Sequence, residues 1–408
     1  MTRIIIVGTG FSGVWSAFSA KRLINLSQKK KDIEVLVISP KPTLVIRPRL
    51  YEANAASLTH ALGAMFENAG IRFFQGTVRT IDPDTHTVRV QSASGLESSF
   101  DYDRLILAAG SSVVRPQSIT GIDQHAFDID SLESAIKLET HIENMASLPP
   151  SPARDTIVVC GAGFTGLEIV TELPKRLKHI HNYRIVLIDN SKEVGQQLGP
   201  GPRPAITQAL KDLRIEVKLG SAVAAIDADG VVLASGERIE SKTAIWTAGV
   251  RATPLTQQIT GPKDGLGRLH VDQYLRVPSS RDIFATGDAA YARSDDSGHY
   301  TMMSCQHAIP LGRASGHNAA ADLLDEPMIA YTQPAYVCCL DLGAYGAVVS
   351  EGWKRDIKMT GDMAKQVKCY INREVIYPPK DSQKALDEAK PVELNGTQLI
   401  EQILRAVA

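Results

Sequence analysis

The sequence contains one local pattern twice: a short run of β-branched residues, a glycine-rich turn and a helical stretch. The first copy spans Arg3 to Gly13, and its strand, Ile4 to Val7, is continuously apolar, as in a buried parallel strand. The second copy spans Thr156 to Gly166. A single G-x-G-x-x-G turn is common between a strand and a helix. Two copies at equivalent places predict two dinucleotide sites, or one dinucleotide bound twice.

The glycines of each turn have separate physical roles. Gly8 allows the tight turn off the strand, Gly10 leaves room for a pyrophosphate, and Gly13 lets the helix lie close to the strand. The second turn repeats the spacing with Gly161, Gly163 and Gly166. The free N–H groups and the dipole at each helix start then favour an anion.

The residue that ends the second strand of each repeat distinguishes the two sites. An acid there accepts hydrogen bonds from a ribose 2′-hydroxyl and repels a 2′-phosphate. Asp189 stands at this position in the second repeat, which predicts a preference for NADH over NADPH. Ser39 stands there in the first repeat, and a hydroxyl makes a weaker contact than a carboxylate.

Composition limits the class of protein. The chain has 408 residues and a formal net charge of −1, so no overall field attracts nucleic acid or a membrane. The cysteines form no C-x-x-C pair, and the adjacent Cys338 and Cys339 would point to opposite faces of a strand. These facts argue against a disulfide scaffold or a metal site and fit a reducing compartment. No apolar run is long enough to cross a bilayer, and the chain starts with a strand rather than a signal peptide.

Periodicity and turn residues organise the rest of the chain. Three further buried strands end in small or polar residues, in the segments 102–111, 243–250 and 282–288. The pattern predicts a helix over 58–69 and another over 306–324 that Pro310 interrupts. In a loop before the first of these helices, Arg47 either orients an anionic group or is a solvated surface residue.

In this combination the sequence resembles the two-dinucleotide-binding flavoproteins of the pyridine nucleotide-disulfide oxidoreductase superfamily, and among them the type II NADH dehydrogenase family. The resemblance covers nearly the whole chain. The first glycine turn and two later segments resemble the FAD signatures of that family, and the second turn resembles its NADH signature. Two more segments are typical of the family. These six segments are 8–13, 105–110, 285–288, 161–168, 244–250 and 367–379.

The resemblance implies an α/β fold with two Rossmann-like dinucleotide-binding domains and a small C-terminal α+β domain. The FAD-binding domain would be discontinuous and comprise residues 1–118 and 266–326. The NADH-binding domain, residues 119–265, would be inserted into it. Residues 327–408 would form the C-terminal domain.

The resemblance also implies site residues. Glu168 would help to orient the nicotinamide or the flavin, and Gln306 and His307 would face the pyrimidine edge of the flavin. His307 is either a proton donor to the acceptor or a packed histidine. The residues expected to bind the two cofactors are Gly8, Gly10, Phe11, Ser12, Gly13, Ser39, Arg47, Pro48, Ala109, Gly110, Gly161, Gly163, Gly166, Asp189, Gly249, Gly287, Asp288 and Ala308.

Two departures from the family pattern concern the electron acceptor. In quinone-reducing relatives, the segment at the start of the late helix resembles the pattern Ala-Gln-x-Ala-x-Gln-x-Gly. This chain has Pro310 and Leu311 at positions where those relatives often have polar residues. Arg47 occupies the place of a glutamine in those relatives, and with Pro48 it resembles ferredoxin-reductase-type flavoproteins instead. No cysteine precedes Cys160, so the paired-cysteine chemistry of disulfide reductases is not expected.

The resulting hypothesis is an FAD-dependent enzyme that takes hydride from NADH and passes electrons to a quinone or another small acceptor. Two alternatives stay open: a flavin reductase or oxidase that acts on a partner redox protein or a dedicated biosynthetic metabolite, and a non-catalytic redox-sensing flavoprotein. We expect a cytoplasmic protein with no nucleic-acid partner. The amphipathic segment 399–407 either packs on the protein's own core or touches the inner face of a membrane. A homodimer also stays open.

Overall fold

The computed structural model describes residues 2–29, 32–392 and 396–407 and shows a mixed α/β protein with two open parallel sheets. Its strands are β1 Thr2–Val7, β2 Ile33–Ser39, β3 Thr43–Val45, β4 Thr59–Ala61, β5 Arg72–Gln75, β6 Thr77–Asp82, β7 Thr87–Gln91, β8 Glu97–Asp101, β9 Arg104–Leu107, β10 Ser111–Val113, β11 Ala126–Phe127, β12 Thr156–Cys160, β13 Arg184–Ile188, β14 Glu216–Lys218, β15 Val223–Asp227, β16 Gly230–Leu233, β17 Arg238–Glu240, β18 Thr243–Trp246, β19 Val250–Ala252, β20 Leu269–His270, β21 Arg276–Val277, β22 Ser280–Ala285, β23 Ala290–Tyr291, β24 Val337–Asp341, β25 Ala347–Glu351 and β26 Asp356–Thr360. Its α-helices are α1 Phe11–Leu26, α2 Gly63–Asn68, α3 Ile122–His125, α4 Leu132–Asn144, α5 Pro152–Asp155, α6 Phe164–Arg176, α7 Arg203–Asp212, α8 Cys305–Leu324, α9 Gly361–Tyr370, α10 Ser382–Glu388 and α11 Gly396–Val407.

The first parallel sheet is centred on the first glycine repeat. Its strand order is β21-β22-β9-β1-β2-β5, and every pair is parallel except the β21–β22 hairpin. Residues Ile4–Val7 of β1 are buried, as expected for a continuously apolar strand covered on both faces. Strand β22 joins β9 although the whole second sheet lies between them in sequence. Two separated segments of the chain therefore build the first sheet.

The second parallel sheet is centred on the second glycine repeat and has the strand order β11-β18-β12-β13-β14. All of its strands lie between the two segments that form the first sheet. The predicted α/β class with two Rossmann-like sheets is confirmed. The boundaries proposed at residues 118, 265 and 326 stay predictions.

The C-terminal part contains a three-stranded antiparallel sheet, β24-β25-β26, with α9 packed against the sheet and α11 packed against α9. A short π-helix, Ile371–Val375, follows α9. Ile400 and Ile403 of α11 are buried in one cluster with Val349 and Val367. The apolar face of the terminal helix thus packs on the protein's own core, which is one of the two readings predicted for this segment.

The helix predicted over 58–69 was wrong in its first half. Residues Thr59–Ala61 form β4, which pairs with β3, and only Gly63–Asn68 is helical. Leu44 of β3 and Leu58 next to β4 are fully buried or nearly so. Pairing with a distant strand thus overrides the local helical periodicity.

Pro310 does not interrupt α8, which is continuous from Cys305 to Leu324. A proline has no N–H group, so the carbonyl four residues earlier loses its helical partner. That carbonyl belongs to Gln306, and it accepts a hydrogen bond from the Gln333 side chain (Nε2 to O, 3.3 Å). The expected break is therefore compensated from outside the helix.

Helices α1 and α8 are in close contact along their lengths. A Cβ atom at Gly312 would lie 2.4 Å from the Ser12 carbonyl oxygen, and one at Gly316 would lie 2.1 Å from the Ser16 carbonyl oxygen. The hydroxyl of Ser16 also lies 3.0 Å from the hydroxyl of Ser315. Only glycine permits this approach, and the approach sets the start of α8 beside the first glycine turn.

We expect Gly316→Ala to destabilise the protein, because the added methyl group must push the two backbones apart. Overpacking of this kind costs about 1–3 kcal/mol in free energy of unfolding. Thermal unfolding followed by circular dichroism measures it. Gly63→Ala is the matched control, since a Cβ there meets no atom within 4 Å. Equal midpoints for the two variants would contradict the close-packing argument.

Candidate active site

One large cavity, about 1880 Å³ in volume, is lined by both glycine turns and by the start of α8. It lies at the carboxyl ends of the parallel strands, where ligands bind in open α/β sheets. All predicted site residues line it except Gly13, Gly166, Gly287 and His307. Most of the predicted site residues therefore surround one cavity, and their assigned roles stay predictions.

The first turn has the geometry of a phosphate cradle. Gly8 has φ +111°, and a Cβ there would lie 2.5 Å from the Ala108 carbonyl oxygen. A Cβ at Gly10, by contrast, would meet no protein atom within 4 Å, and Gly10 lines the cavity. The backbone of this turn is thus open toward the cavity at the helix start, where free N–H groups favour an anion.

The second turn repeats this geometry. A Cβ at Gly163 would meet only the Gln197 Oε1 atom, at 3.8 Å. The Asp189 carboxylate at the end of β13 also lines the cavity. Its oxygens accept hydrogen bonds from the backbone N–H groups of Ala162 (2.6 Å) and Ser191 (2.7 Å). The acid is therefore held in a fixed position beside the turn.

The corresponding position of the first site has a different arrangement. Ser39 is buried, and its hydroxyl lies 2.9 Å from the hydroxyl of Thr9. Ser39 lines the cavity but carries no charge there. The two sites thus differ in the group that each offers to a ribose.

Three predicted glycines lie behind the cavity surface. A Cβ at Gly13 would overlap the Gly8 carbonyl oxygen, and one at Gly166 would overlap that of Gly161. A Cβ at Gly287 would overlap the Ser12 hydroxyl. These glycines permit close packing of the turns and present no surface to a ligand.

A polar cluster around Arg47 joins elements of both sheets. Its guanidinium forms an ion pair with Asp130, donates to the Ser111 hydroxyl (2.9 Å), and has Nη1 3.6 Å from Asp288 Oδ2. The Ser111 hydroxyl donates to Asp288 Oδ2 at 2.6 Å. These contacts therefore fix the Arg47 side chain in the cavity wall, and it is not a freely solvated surface residue. Sequence reasoning missed Asp130, which carries no motif.

Glu168 is a buried acid on α6 that lines the cavity. Its carboxylate forms an ion pair with Lys368 Nζ (2.8 Å) and accepts from the backbone N–H of Asp341 (3.1 Å). Burial raises the pKa of Glu168, and Lys368 opposes the rise, with a resulting pKa of about 7. Burial lowers the pKa of Lys368, whereas the negative charge of Glu168 raises it. The net effect is a pKa above the ordinary value for a lysine.

Lys368 itself was missed as a site residue, although it lies in the family-like segment 367–379. Its side chain is almost fully buried and lines the cavity. Asp341 is tied to the same network, because it accepts from the Tyr51 hydroxyl (2.8 Å) and pairs with Lys365. The ion pair is thus held by residues that come from both ends of the chain.

His307 does not reach the cavity. Its ring is fully buried and stacks on Tyr336 (centroids 5.1 Å apart) and on Trp353 (6.0 Å). Burial, together with the charges of Arg355 and Arg268, lowers its pKa to about 3, so it is neutral at physiological pH. Its neighbours on α8, Gln306 and Ala308, do line the cavity. This placement matches the packed-histidine interpretation.

The cysteines form no disulfide in the part of the chain that the structure describes. Cys338 packs into the main core and Cys339 against the C-terminal core, so the two point to opposite faces of β24, as predicted. Among the same residues, no group of His, Cys, Asp and Glu could hold a metal ion. No helix within the described ranges is both long and apolar enough to span a bilayer.

The sequence profile of the family "Pyridine nucleotide-disulphide oxidoreductase" matches residues 2–312. The chain belongs to this family. An NADH dehydrogenase-like protein of Mycobacterium tuberculosis is 43% identical over 392 residues, which cover 94% of this chain and 96% of that protein. The demethylphylloquinone reductase of Synechocystis is 28% identical over 371 residues, 89% of each chain. The predicted resemblance is confirmed.

A solved structure shares the fold. The structure of NDH2 from Plasmodium falciparum in complex with NADH superposes with a TM-score of 0.74, at 15% identity, and covers 95% of this chain and 97% of that chain. At this identity the likeness concerns the architecture alone.

The fixed carboxylate of Asp189 should set the choice between dinucleotides. We expect Asp189→Asn to reduce the preference for NADH over NADPH about tenfold, equivalent to about 1.4 kcal/mol, because repulsion of a 2′-phosphate is removed. Dissociation constants for both dinucleotides measure it. Asp212→Asn, an exposed acid on α7, is the control. The same preference in Asp189→Asn and in the parent protein would contradict the assignment.

Proposed function

We propose that the protein oxidises NADH at a bound FAD and passes the electrons to a quinone. The observation that carries this proposal is that both dinucleotide turns open into one cavity, so two bound dinucleotides can meet there. The overall reaction is NADH + H⁺ + quinone → NAD⁺ + quinol. Membership of the family and the names of its relatives support this reading. They lend no support to a partner redox protein, a dedicated metabolite or a non-catalytic sensor.

The residues of the first turn fit FAD. The open backbone at Gly10 and the N–H groups at the start of α1 would hold the pyrophosphate. Asp288 and Ser111 would bond the hydroxyls of the linker, with Arg47 holding both side chains in place. When bound, FAD supplies the hydride and electron transfer chemistry through its isoalloxazine ring.

The residues of the second turn fit NADH. The open backbone at Gly163 would accommodate the pyrophosphate, and Asp189 would accept from the adenosine ribose. Gly249 also lines the cavity. The cavity volume of about 1880 Å³ also exceeds the roughly 300–1,000 Å³ of an ordinary single-ligand pocket. Two dinucleotides and an acceptor therefore have room in it.

An apolar part of the wall suits the ring of a quinone. It is formed by Ile309 of α8 and by the C-terminal residues Ile371, Ile376, Ile400 and Ile403. Apolar walls with few polar groups are typical of small-molecule sites. Gln306 lines the cavity at the start of the same helix, and its side-chain amide pairs with the backbone of Val337, where it accepts from the N–H (3.1 Å) and donates to the carbonyl oxygen.

Glu168 is placed to supply the proton that quinone reduction consumes. With a pKa of about 7, its carboxyl group is partly protonated at physiological pH, and Lys368 stabilises the carboxylate that forms when the proton leaves. The protonated and the ionised forms of the Glu168 carboxyl group therefore have similar free energies near neutral pH. We assign it this role in addition to the predicted orienting role.

The location and assembly of the protein are further parts of the proposal. A cytoplasmic location, a homodimer and peripheral contact with a membrane stay predictions. The packing of Ile400 and Ile403 inside the C-terminal cluster favours a terminal helix that belongs to the protein's own core.

Stopped-flow absorbance of the purified holoprotein tests the function. NADH should rapidly bleach the flavin band, and a water-soluble quinone should rapidly restore it. Bleaching without recovery would reject the quinone but keep the NADH and FAD sites. The absence of bound flavin, or of bleaching, would reject the whole proposal.

The Glu168 assignment predicts a pH dependence. Reoxidation by quinone should slow as the pH rises through about 7, because the carboxyl group loses its proton. Glu168→Gln should remove this dependence and slow reoxidation about 10²-fold. Lys368→Met should move the midpoint to higher pH, since the charge that opposes the rise in pKa is gone.

Glu172→Gln is the matched control for these variants. Glu172 is a buried acid one turn further along α6, it pairs with Lys175 (2.9 Å), and it does not line the cavity. Its replacement should leave the pH profile of reoxidation unchanged. An unaltered profile in Glu168→Gln would reject the role in proton supply.

A further inference from the structure

Five residues of helix α8 line the cavity, and Gln306, Ile309 and Arg313 are three of them. Their spacing of three and four residues puts them on one face of the helix. Gly312, next to Arg313, packs on the Ser12 carbonyl oxygen of the first turn. The Arg313 guanidinium itself lies against Trp15 of α1, the helix that follows the first turn.

The charge of Arg313 has no carboxylate partner. Within residues 2–29, 32–392 and 396–407, no acidic oxygen is paired with its guanidinium at ion-pair distance, and Glu388 acts on it only from farther away. Burial lowers the pKa of Arg313 to about 10, against the raising effect of Glu388. The group is thus a partly buried cation whose charge is not neutralised by the described protein.

The other cations deep in the cavity wall differ from Arg313. Arg47 pairs with Asp130, Arg268 pairs with Asp264 (2.7 Å), and Lys368 pairs with Glu168 (2.8 Å). A charge that leaves water is costly unless it is paired. The exception at Arg313 therefore calls for a negative group that is not part of this chain.

Two donors at this place also lack acceptors. The Arg313 guanidinium lies over the Trp15 indole, with Cζ 4.1 Å from the ring centroid. Arg313 Nε and Trp15 Nε1 are both buried, and neither makes a hydrogen bond. Both groups can only donate, so the missing partner must be an acceptor. The contact with Trp15 positions the guanidinium, whose planar set of donors matches a planar two-oxygen ligand.

We propose that Arg313, supported by Trp15, binds a carboxylate of the electron acceptor, so that the preferred acceptor is a carboxylated quinone. One unpaired positive charge matches one carboxylate, whereas a phosphate brings nearly two negative charges. The carboxylate takes no part in the electron transfer, and the reaction is NADH + H⁺ + quinone carboxylate → NAD⁺ + quinol carboxylate. This inference rests on the proposed function, because it specifies the acceptor of the same cavity.

The test uses the holoenzyme with a naphthoquinone carboxylate and its neutral methyl ester. The parent protein should have the higher kcat/KM for the acid. Arg313→Gln should lower kcat/KM for the acid about tenfold or more and leave the ester unchanged, and Arg313→Lys should retain part of the preference. Lys384→Gln, which removes an exposed lysine on the neighbouring α10, should leave both values unchanged.

A binding measurement makes the test independent of turnover. The quenching of flavin fluorescence should give tighter binding of naphthalene carboxylate than of naphthalene carboxamide, and Arg313→Gln should abolish the difference. Equal binding of the two probes to the parent protein overturns the proposal, whether or not the variant folds. Reduction of the ester would then still support the proposed function.

A second outcome would also overturn the proposal. If Arg313→Gln loses bound FAD and keeps its preference for the acid, the guanidinium serves an FAD phosphate. The flavin content per chain, measured after denaturation, separates this role from acceptor binding. Failure of both quinones to reoxidise the reduced flavin would reject the proposed function, while the binding measurement would still decide the role of Arg313.

Discussion

Helix α8 reaches the first glycine turn only because two glycines let it touch α1. A side chain at Gly312 or Gly316 would collide with a carbonyl oxygen of α1. The hydroxyls of Ser16 and Ser315 form a hydrogen bond between the two helices. This contact brings Gln306 to the cavity from a segment far along the chain. The single cavity, and with it the meeting of two dinucleotides, therefore depends on a backbone approach that any larger residue would prevent.

The charges around the cavity are arranged by pairing. Glu168 and Lys368 neutralise each other, Arg47 is held between Asp130 and Asp288, and the carboxylate of Asp189 is fixed by two backbone N–H groups. Pairing lowers the free-energy cost of charge in a partly dry site and holds these groups in defined positions. Arg313 differs from these groups, because its guanidinium has no carboxylate partner among the described residues.

The two departures from the family pattern have different consequences. Pro310 and Leu311 do not line the cavity, and Leu311 packs with Leu275 and Tyr331 in a small separate cluster. These substitutions thus alter the packing behind α8 rather than the surface that an acceptor meets. Arg47 does line the cavity, but Asp130 neutralises much of its charge. Of Arg47 and Arg313, both in the cavity wall, only Arg313 has no carboxylate partner among the described residues.

The sequence by itself determined the two strand–turn–helix units and the α/β class, and it located the two glycine turns that line the cavity. These features are local: each glycine turn and each buried strand is encoded within about a dozen consecutive residues. It could not determine that residues 59–61 would pair as a strand, or that Gln333 would compensate for Pro310. Nor could it place His307 behind the wall, or bring Lys368 to Glu168 and Arg313 to Trp15. Each of these depends on contacts between residues far apart in the chain, and only the packing of the whole molecule decides which distant groups meet.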